Sequence, residues 1–158
     1  ISIQSQPDQG TTVLLALPLT TPESDFDPVG DEAALPHGGE LVLLVEDEPN
    51  VRRVVRQQLI DLGYPVIEAE DGTQALDMID QIIDIAIVVS DVIMPGGING
   101  RQLAEAVLDR RPDMRIVLMS GYTDEPGTAP ASDLPVLAKP FVRQDLARAL
   151  LRTQRETP

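Results

Sequence analysis

The sequence contains no cysteine, and aromatic residues make up only 3% of its 158 residues. The absence of cysteine excludes a disulfide framework and any metal site built on thiolates. Because 42% of the residues are apolar while so few are aromatic, a hydrophobic core must consist mainly of aliphatic side chains. No apolar run approaches the roughly 20 residues that a membrane-spanning helix needs. No basic segment followed by an apolar one opens the chain, so we see no signal peptide and expect a cytoplasmic location.

Basic residues are also scarce. The chain has 12 lysine and arginine residues against 26 aspartate and glutamate residues, which gives a formal net charge of −14 at pH 7. This charge disfavours nucleic acids and anionic membrane surfaces as direct partners, because both are polyanions. We therefore expect these residues to contact neither nucleic acid nor membrane, whereas an acidic chain is compatible with bound divalent cations.

The first 39 residues differ in character from the rest of the chain. Residues 1–18 predict a β-hairpin, because the turn-forming run PDQG at residues 7–10 is followed by an alternating apolar run. Residues 19–39 are rich in proline and glycine, contain five acidic residues, and have no lysine or arginine. Such a stretch buries little and repels itself, so we predict a linker. An ordered loop wrapped on a domain is the alternative.

From residue 41 onwards, short apolar runs alternate with amphipathic ones. The predicted strands are residues 41–46, 65–69, 84–90, 115–120 and 135–138, and the predicted helices are 49–63, 71–82, 101–110 and 142–152. This alternation predicts an α/β domain with a mostly parallel, doubly wound sheet and helices on both faces. Two prolines and two glycines in residues 120–134 argue against a long helix there, so the fourth helix should be short or disordered.

The first predicted helix should face the sheet with one apolar stripe. Its members are Val51, Val54, Val55, Leu59 and Leu62.

Chemically active side chains follow four of the predicted strands. They are Glu46 and Asp47, then Asp91, then Ser120, and finally Lys139. In such folds ligands bind beyond the carboxyl ends of the strands, so these side chains should meet at one edge of the sheet. Three neighbouring carboxylates repel one another and raise their own pKa values, and a hard divalent cation such as Mg²⁺ relieves that repulsion.

This set also suggests phosphoryl chemistry. A carboxylate beside Mg²⁺ can attack phosphorus and form an acyl phosphate. The ammonium of Lys139 and the hydroxyl of Ser120 would then offer charge and hydrogen bonds to the phosphoryl oxygens. Taken singly, each residue could be a turn residue, a helix cap or a solvated charge, and it is their joint placement that carries the hypothesis.

The segments LVLLVEDEPNVRRVV, VVSDVIMPGGINGRQLA, IVLMSGY and VLAKPF resemble the receiver domain of two-component response regulators. The resemblance covers residues 40–153, most of the chain. It implies a flavodoxin-like fold with a five-stranded parallel sheet of strand order 2-1-3-4-5. It also implies that Asp91 accepts a phosphoryl group from the phosphohistidine of a histidine kinase, with Mg²⁺ as cofactor.

The resemblance also assigns roles to the other site residues. It implies that Mg²⁺ is bound by Asp47, Asp91 and the backbone carbonyl of Ile93, while Glu46, where aspartate is commoner, acts through water. Ser120 and Lys139 would sense the phosphoryl group. The Lys139–Pro140 peptide bond is usually cis in this family. Ile93 and Tyr122 would flank the phosphoryl group and gate the access of water, which predicts a long-lived phosphorylated state.

The run IQSQPDQGTTVLLALP resembles the last two strands of the ATP-binding domain of histidine kinases. With the acidic linker and the receiver-like region after it, this predicts the C-terminal end of a hybrid sensor histidine kinase. Residues 1–158 include no kinase catalytic core. The expected partner is the dimerisation and phosphotransfer domain of a histidine kinase, its own chain first, with a downstream histidine phosphotransfer protein as a further candidate.

Four alternatives stay open at this point. The hairpin could belong to the receiver itself, or the chain could be a free-standing single-domain response regulator. A pseudo-receiver that only binds partners is disfavoured, because the acidic pair, Asp91 and Lys139 are all retained. A Mg²⁺-dependent phosphatase of the haloacid dehalogenase type would want a second aspartate where Ile93 stands, which disfavours it strongly.

Overall fold

The computed structural model describes residues 2–6, 10–14, 16, 39–95, 97–121 and 134–153. These residues fall into two compact units. The first contains two antiparallel strands, β1 (Ser2–Gln6) and β2 (Gly10–Leu14), with Ile3 paired opposite Val13. Gly10 has a φ of 86°, a left-handed conformation that glycine adopts without steric cost. Two paired strands are therefore present where the sequence predicts a hairpin, and the turn residues 7–9 lie outside the described residues.

The second unit alternates strands and helices from residue 41 to residue 152. Its strands are β3 (Leu41–Val45), β4 (Val66–Ala69), β5 (Ile85–Asp91), β6 (Arg115–Ser120) and β7 (Val136–Ala138). Its helices among the described residues are α1 (Pro49–Asp61), α2 (Gly72–Gln81), α3 (Gly100–Arg110) and α4 (Arg143–Arg152). All these bounds agree with the predicted ones to within two residues. Residues 122–133, where the short or disordered helix is predicted, lie outside the described residues.

The five strands of this unit form one parallel sheet. Its order is β4-β3-β5-β6-β7, which is 2-1-3-4-5 when the strands of this sheet are numbered along the chain. This confirms the predicted doubly wound, flavodoxin-like architecture. Strand order reverses between β3 and β5, and ligands of open α/β sheets bind at such a switch point, beyond the carboxyl ends of the strands.

The sheet is buried on both faces, as the apolar runs of its strands predict. Along β3, Leu43 and Val45 pack into a cluster with residues of α2 and α3, whereas Val42 and Leu44 pack into a second cluster with residues of α1 and α4. Side chains of successive strand residues point to opposite faces, which produces this division. No helix among the described residues is both long enough and apolar enough to cross a bilayer.

The prediction that Val54 of α1 faces the sheet is wrong. Val55 and Leu59 are buried, but Val54 is 57% exposed. The buried positions recur every three to four residues, and Val54 lies about 100° around the helix axis from Val55, so it falls at the margin of the stripe and faces solvent.

Candidate functional site

Three carboxylates converge at the carboxyl edge of the sheet. Glu46 and Asp47 come directly after β3, and Asp91 is the last residue of β5. Because β3 and β5 are neighbours with Val45 opposite Ser90, these ends lie side by side. One ligand oxygen of each carboxylate lies within 4.8 Å of the others. Glu46 is fully buried at 1% exposure and Asp91 is 9% exposed.

Lys139 reaches this cluster from β7, the edge strand that is separated from β5 by β6. It follows β7, and its Nζ lies 2.7 Å from Glu46 Oε2 and 2.9 Å from Asp91 Oδ2. Its backbone N–H donates to the carbonyl oxygen of Ser120 at 2.7 Å, and the Lys139–Pro140 peptide bond is cis, the isomer that the resemblance implies. The ammonium therefore bridges two of the three carboxylates.

The site carries more negative than positive charge. Burial raises the pKa of Glu46, the contact with Lys139 opposes that rise, and the charge of Asp91 adds to it. Burial alone would lower the pKa of Lys139, but its hydrogen bonds to Glu46 and Asp91 raise it above its usual value. The pKa of Glu46 therefore rises because the carboxylate is buried, in spite of Lys139, whereas the pKa of Lys139 rises because its ammonium faces two carboxylates. An excess of oxygen donors with net negative charge is the environment that a hard divalent cation requires, so this donor set fits Mg²⁺.

The remaining predicted residues lie at or near the same edge. Ser120 ends β6 opposite Ala138 of β7, and its Oγ donates to the Gly121 carbonyl at 3.3 Å. Ile93 follows Asp91 by two residues and is 50% exposed. The role of its backbone carbonyl as a metal ligand stays a prediction. Tyr122, the other predicted gating residue, lies outside the described residues.

A close backbone approach fixes the loop after Asp91. The Val92 N–H donates to the Met119 carbonyl at 2.8 Å, and the Gly100 N–H donates to the Val92 carbonyl at 3.0 Å. A Cβ added to Gly100 would overlap the carbonyl oxygen of Asp91. The first residue of α3 therefore packs directly on the backbone of Asp91, a role that the sequence analysis missed. A glycine at the start of a helix that follows an acidic strand end is the only signal for it.

Arg52 on α1 also contacts the site, and nothing in the sequence pattern indicated it. Its Nη1 donates to the carbonyl oxygen of Glu46 at 2.6 Å and lies 3.4 Å from that of Asp47. Its Nη2 pairs with Glu70 Oε1 at 3.0 Å. The guanidinium therefore contacts the backbone of both residues of the acidic pair.

The fold and this site agree with a known family. The model of the response regulator receiver domain matches residues 42–151. The chain belongs to this family. The receiver fold is shared with the response regulator TrrA of Thermotoga maritima in complex with Mg²⁺–BeF, at a TM-score of 0.65 and 28% identity over 72% of this chain and 98% of that one. A response regulator receiver protein from Sinorhizobium medicae WSM419 has a TM-score of 0.68 and 26% identity, over 74% of this chain and 95% of that one.

Two proteins of Brucella abortus (strain 2308) are similar in sequence. The response regulator receiver protein CpdR is 28% identical over 112 residues, which cover 69% of this chain and 92% of CpdR. The sensor kinase CckA is 35% identical over 162 aligned positions, which cover 93% of this chain but only 17% of CckA. This chain therefore spans less than a fifth of that sensor kinase.

The similarity to CckA extends beyond the receiver domain. It covers about 147 of the 158 residues, and only 117 residues lie between residue 42 and the end of the chain. About 30 or more of the aligned residues must therefore precede the receiver domain and belong to the hairpin and the acidic segment.

Proposed function

We propose that this receiver domain is the phosphoacceptor of a two-component phosphorelay and that Asp91 takes the phosphoryl group from a histidine kinase phosphohistidine. One observation carries the proposal. The Asp91 carboxylate lies at the switch point of the sheet, with ligand oxygens of Glu46 and Asp47 within 4.8 Å and Lys139 Nζ 2.9 Å from its Oδ2. A carboxylate held beside other carboxylates and one ammonium is placed to act as a nucleophile towards phosphorus.

The proposed transfer conserves atoms and electrons. One carboxylate oxygen of Asp91 attacks phosphorus, and the P–O bond forms as the P–N bond to the histidine breaks. The electron pair of that bond stays on the imidazole nitrogen, which takes up a proton. Lys139 then exchanges its contact with the Asp91 carboxylate for one with the phosphoryl oxygens, and the Ser120 hydroxyl donates a hydrogen bond to them.

Asp47, Asp91 and the Ile93 carbonyl would hold Mg²⁺, which when bound supplies positive charge that offsets the carboxylates and the phosphoryl group. Glu46 has a different part. Its Oε2 accepts from Lys139 at 2.7 Å and its Oε1 faces the Glu48 N–H at 3.4 Å. Because both of its oxygens already have partners, Glu46 is suited to act through a water rather than as a direct ligand.

Beryllofluoride with Mg²⁺, which imitates an aspartyl phosphate, tests this proposal. Lys139 is the sole lysine of the 158 residues, so selective ¹⁵N-lysine labelling gives one Nζ signal, and this atom contacts both Glu46 and Asp91. We expect beryllofluoride and Mg²⁺ to shift this signal in the wild type and in Asp77→Asn, an exposed position on α2. The signal should stay unchanged in Asp91→Asn.

Transfer itself needs a phosphorylated donor. We expect radiolabel from a purified phosphohistidine kinase core to appear on wild-type protein and not on Asp91→Asn. An equal beryllofluoride response in Asp91→Asn, or labelling that survives this substitution, would contradict the assignment of Asp91. Repeated turnover of a small phosphomonoester would instead favour the phosphatase alternative.

The parent protein is proposed to be a hybrid sensor histidine kinase located in the cytoplasm. In this proposal residues 1–18 are the last strands of its ATP-binding domain, residues 19–39 are a linker, and residues 40–153 are the receiver. Two observations support it. The similarity to CckA includes residues before the receiver, and the hairpin leaves Ile3, Val13 and Leu14 more than 60% exposed, as expected for strands that pack in a larger domain.

This arrangement makes the kinase's own dimerisation and phosphotransfer domain the expected donor, with a histidine phosphotransfer protein as a further acceptor. An antibody against the receiver domain, used on an extract of the native cells, tests the context. We expect a band several times larger than the 158-residue chain. A band at the size of this chain alone would favour a free-standing response regulator.

A further inference from the structure

Arg52 joins the loop that follows β3 to the loop that follows the neighbouring strand β4. Its Nη1 donates to the Glu46 carbonyl at 2.6 Å and lies 3.4 Å from the Asp47 carbonyl, both in the loop between β3 and α1. Its Nη2 pairs at 3.0 Å with Glu70, which lies in the loop between β4 and α2. The backbone makes a parallel connection, because the Glu46 N–H donates to the Ala69 carbonyl at 3.2 Å.

The position of Arg52 is itself restrained. It lies in the first turn of α1, where its backbone N–H donates to the Glu48 carbonyl at 2.9 Å, and only 14% of its side chain is exposed. Its Nε also lies 4.0 Å from Glu68. A planar guanidinium can donate to several acceptors in fixed directions, which a lysine ammonium on a flexible stem cannot reproduce.

The charge of Arg52 and its geometry would act on a cation in opposite directions. A positive charge near the carboxylates repels Mg²⁺, whereas fixed carbonyls hold the backbone of Glu46 and Asp47 so that their carboxylates converge. Glu70 and Glu68 both face the guanidinium and neutralise much of its charge. The geometric effect should therefore dominate, and loss of Arg52 should weaken cation binding.

We propose that Arg52 is a positioning residue that holds the acidic pair in the arrangement that binds the divalent cation. The inference rests on the proposed function, because it presumes that Asp47 and Asp91 bind Mg²⁺. Outer contacts that orient metal ligands typically change metal affinity 10- to 100-fold. We expect Arg52→Gln to weaken binding about 10-fold, at the lower end of this range, because the Glu46–Ala69 backbone bond still holds the loop.

The test measures metal affinity directly. Mn²⁺ titrations of the full chain followed by the electron paramagnetic resonance signal of free Mn²⁺, with Mg²⁺ in competition, give the dissociation constants. Arg52→Lys keeps the positive charge but loses the planar guanidinium with its fixed donor directions. This variant should bind the cation more weakly than the wild type but more tightly than Arg52→Gln. Arg56→Gln is the matched control. Arg56 is also on α1 and pairs with Glu68 at 3.8 Å, and its substitution should change affinity less than twofold.

The outcomes separate the two proposals. If the wild type binds Mn²⁺ no better than Asp91→Asn, the proposed metal site itself fails. If the wild type binds well and both Arg52 variants bind as tightly or more tightly, the positioning role is overturned and the charge of Arg52 dominates. Circular dichroism and melting in EDTA identify any variant that does not fold. Should Arg52→Gln unfold, Arg52→Lys becomes the deciding variant because it keeps the charge. We expect it to weaken binding at least twofold, and unchanged or tighter binding would overturn the positioning role.

Discussion

Replacing Lys139 by methionine is expected to destabilise the metal-free protein. The Nζ of Lys139 lies 2.7 Å from Glu46 Oε2 and 2.9 Å from Asp91 Oδ2, and the Glu46 side chain is only 2% exposed. Methionine keeps an unbranched apolar stem but leaves two carboxylates without their cation. Removing one partner of a buried ion pair costs about 3–5 kcal/mol. Because 22% of the Lys139 side chain is exposed, we expect the lower end, about 3 kcal/mol.

The sign of the pH dependence follows from Glu46. Burial raises its pKa in the wild type and Lys139 opposes that rise, so the pKa of Glu46 should rise further in the variant. The folded variant then holds a proton at pH values where the unfolded chain, with the ordinary pKa of 4.5, has lost it. Because the folded state binds more protons, its stability falls as pH increases above that value. The loss relative to wild type should be larger at about pH 7.5 than at about pH 5.

Urea unfolding in EDTA, followed by far-ultraviolet circular dichroism at the two pH values, measures this effect. Arg148→Met is the control, because it removes the cation from an exposed ion pair with Asp145, whose atoms lie 3.2 Å apart. Exposed pairs contribute about 0–1 kcal/mol, so this variant should change little at either pH. A Lys139→Met protein as stable as wild type at the higher pH, or equally destabilised at both, would refute the reasoning.

Two further outcomes are expected. Gly100→Ala should lower the free energy of unfolding by about 2 kcal/mol and weaken beryllofluoride binding, because its Cβ would overlap the Asp91 carbonyl oxygen. Gly97→Ala in the loop just before α3, where the nearest atom lies 3.8 Å from an added Cβ, should do neither, and equal urea midpoints for the two variants would argue against this packing. Phosphorylated Asp91 should decay slowly in Mg²⁺, since Ile93 and Tyr122 would shield it from water. Decay within seconds would contradict that shielding, and Ile93→Ala should accelerate decay.

The edge of the sheet that holds the site could be predicted from the sequence for a simple physical reason. Apolar runs mark the buried strands, and parallel strands all end at the same edge, so Glu46, Asp91 and Lys139 could be assigned to that edge before any coordinates were available. The alternation of strands and helices did not determine which strands are neighbours. The order that places β5 between β3 and β6 came from the resemblance to receiver domains.

The residues that sequence reasoning missed share a physical property. Arg52 donates to the carbonyl oxygens of Glu46 and Asp47, and Gly100 packs on the carbonyl oxygen of Asp91, so both contact the acidic residues of the site through backbone atoms and not through the side chains that the sequence displays. Residue types reveal where charge and apolar surface lie, whereas a backbone acceptor is present at every position and gives no signal of its own. The carboxylates themselves could be found from sequence, but the contacts that hold their backbone required the folded geometry. For this reason Arg52, which we expect to influence cation affinity, and Gly100, which fixes the backbone of Asp91, were not recognised as site residues from the sequence.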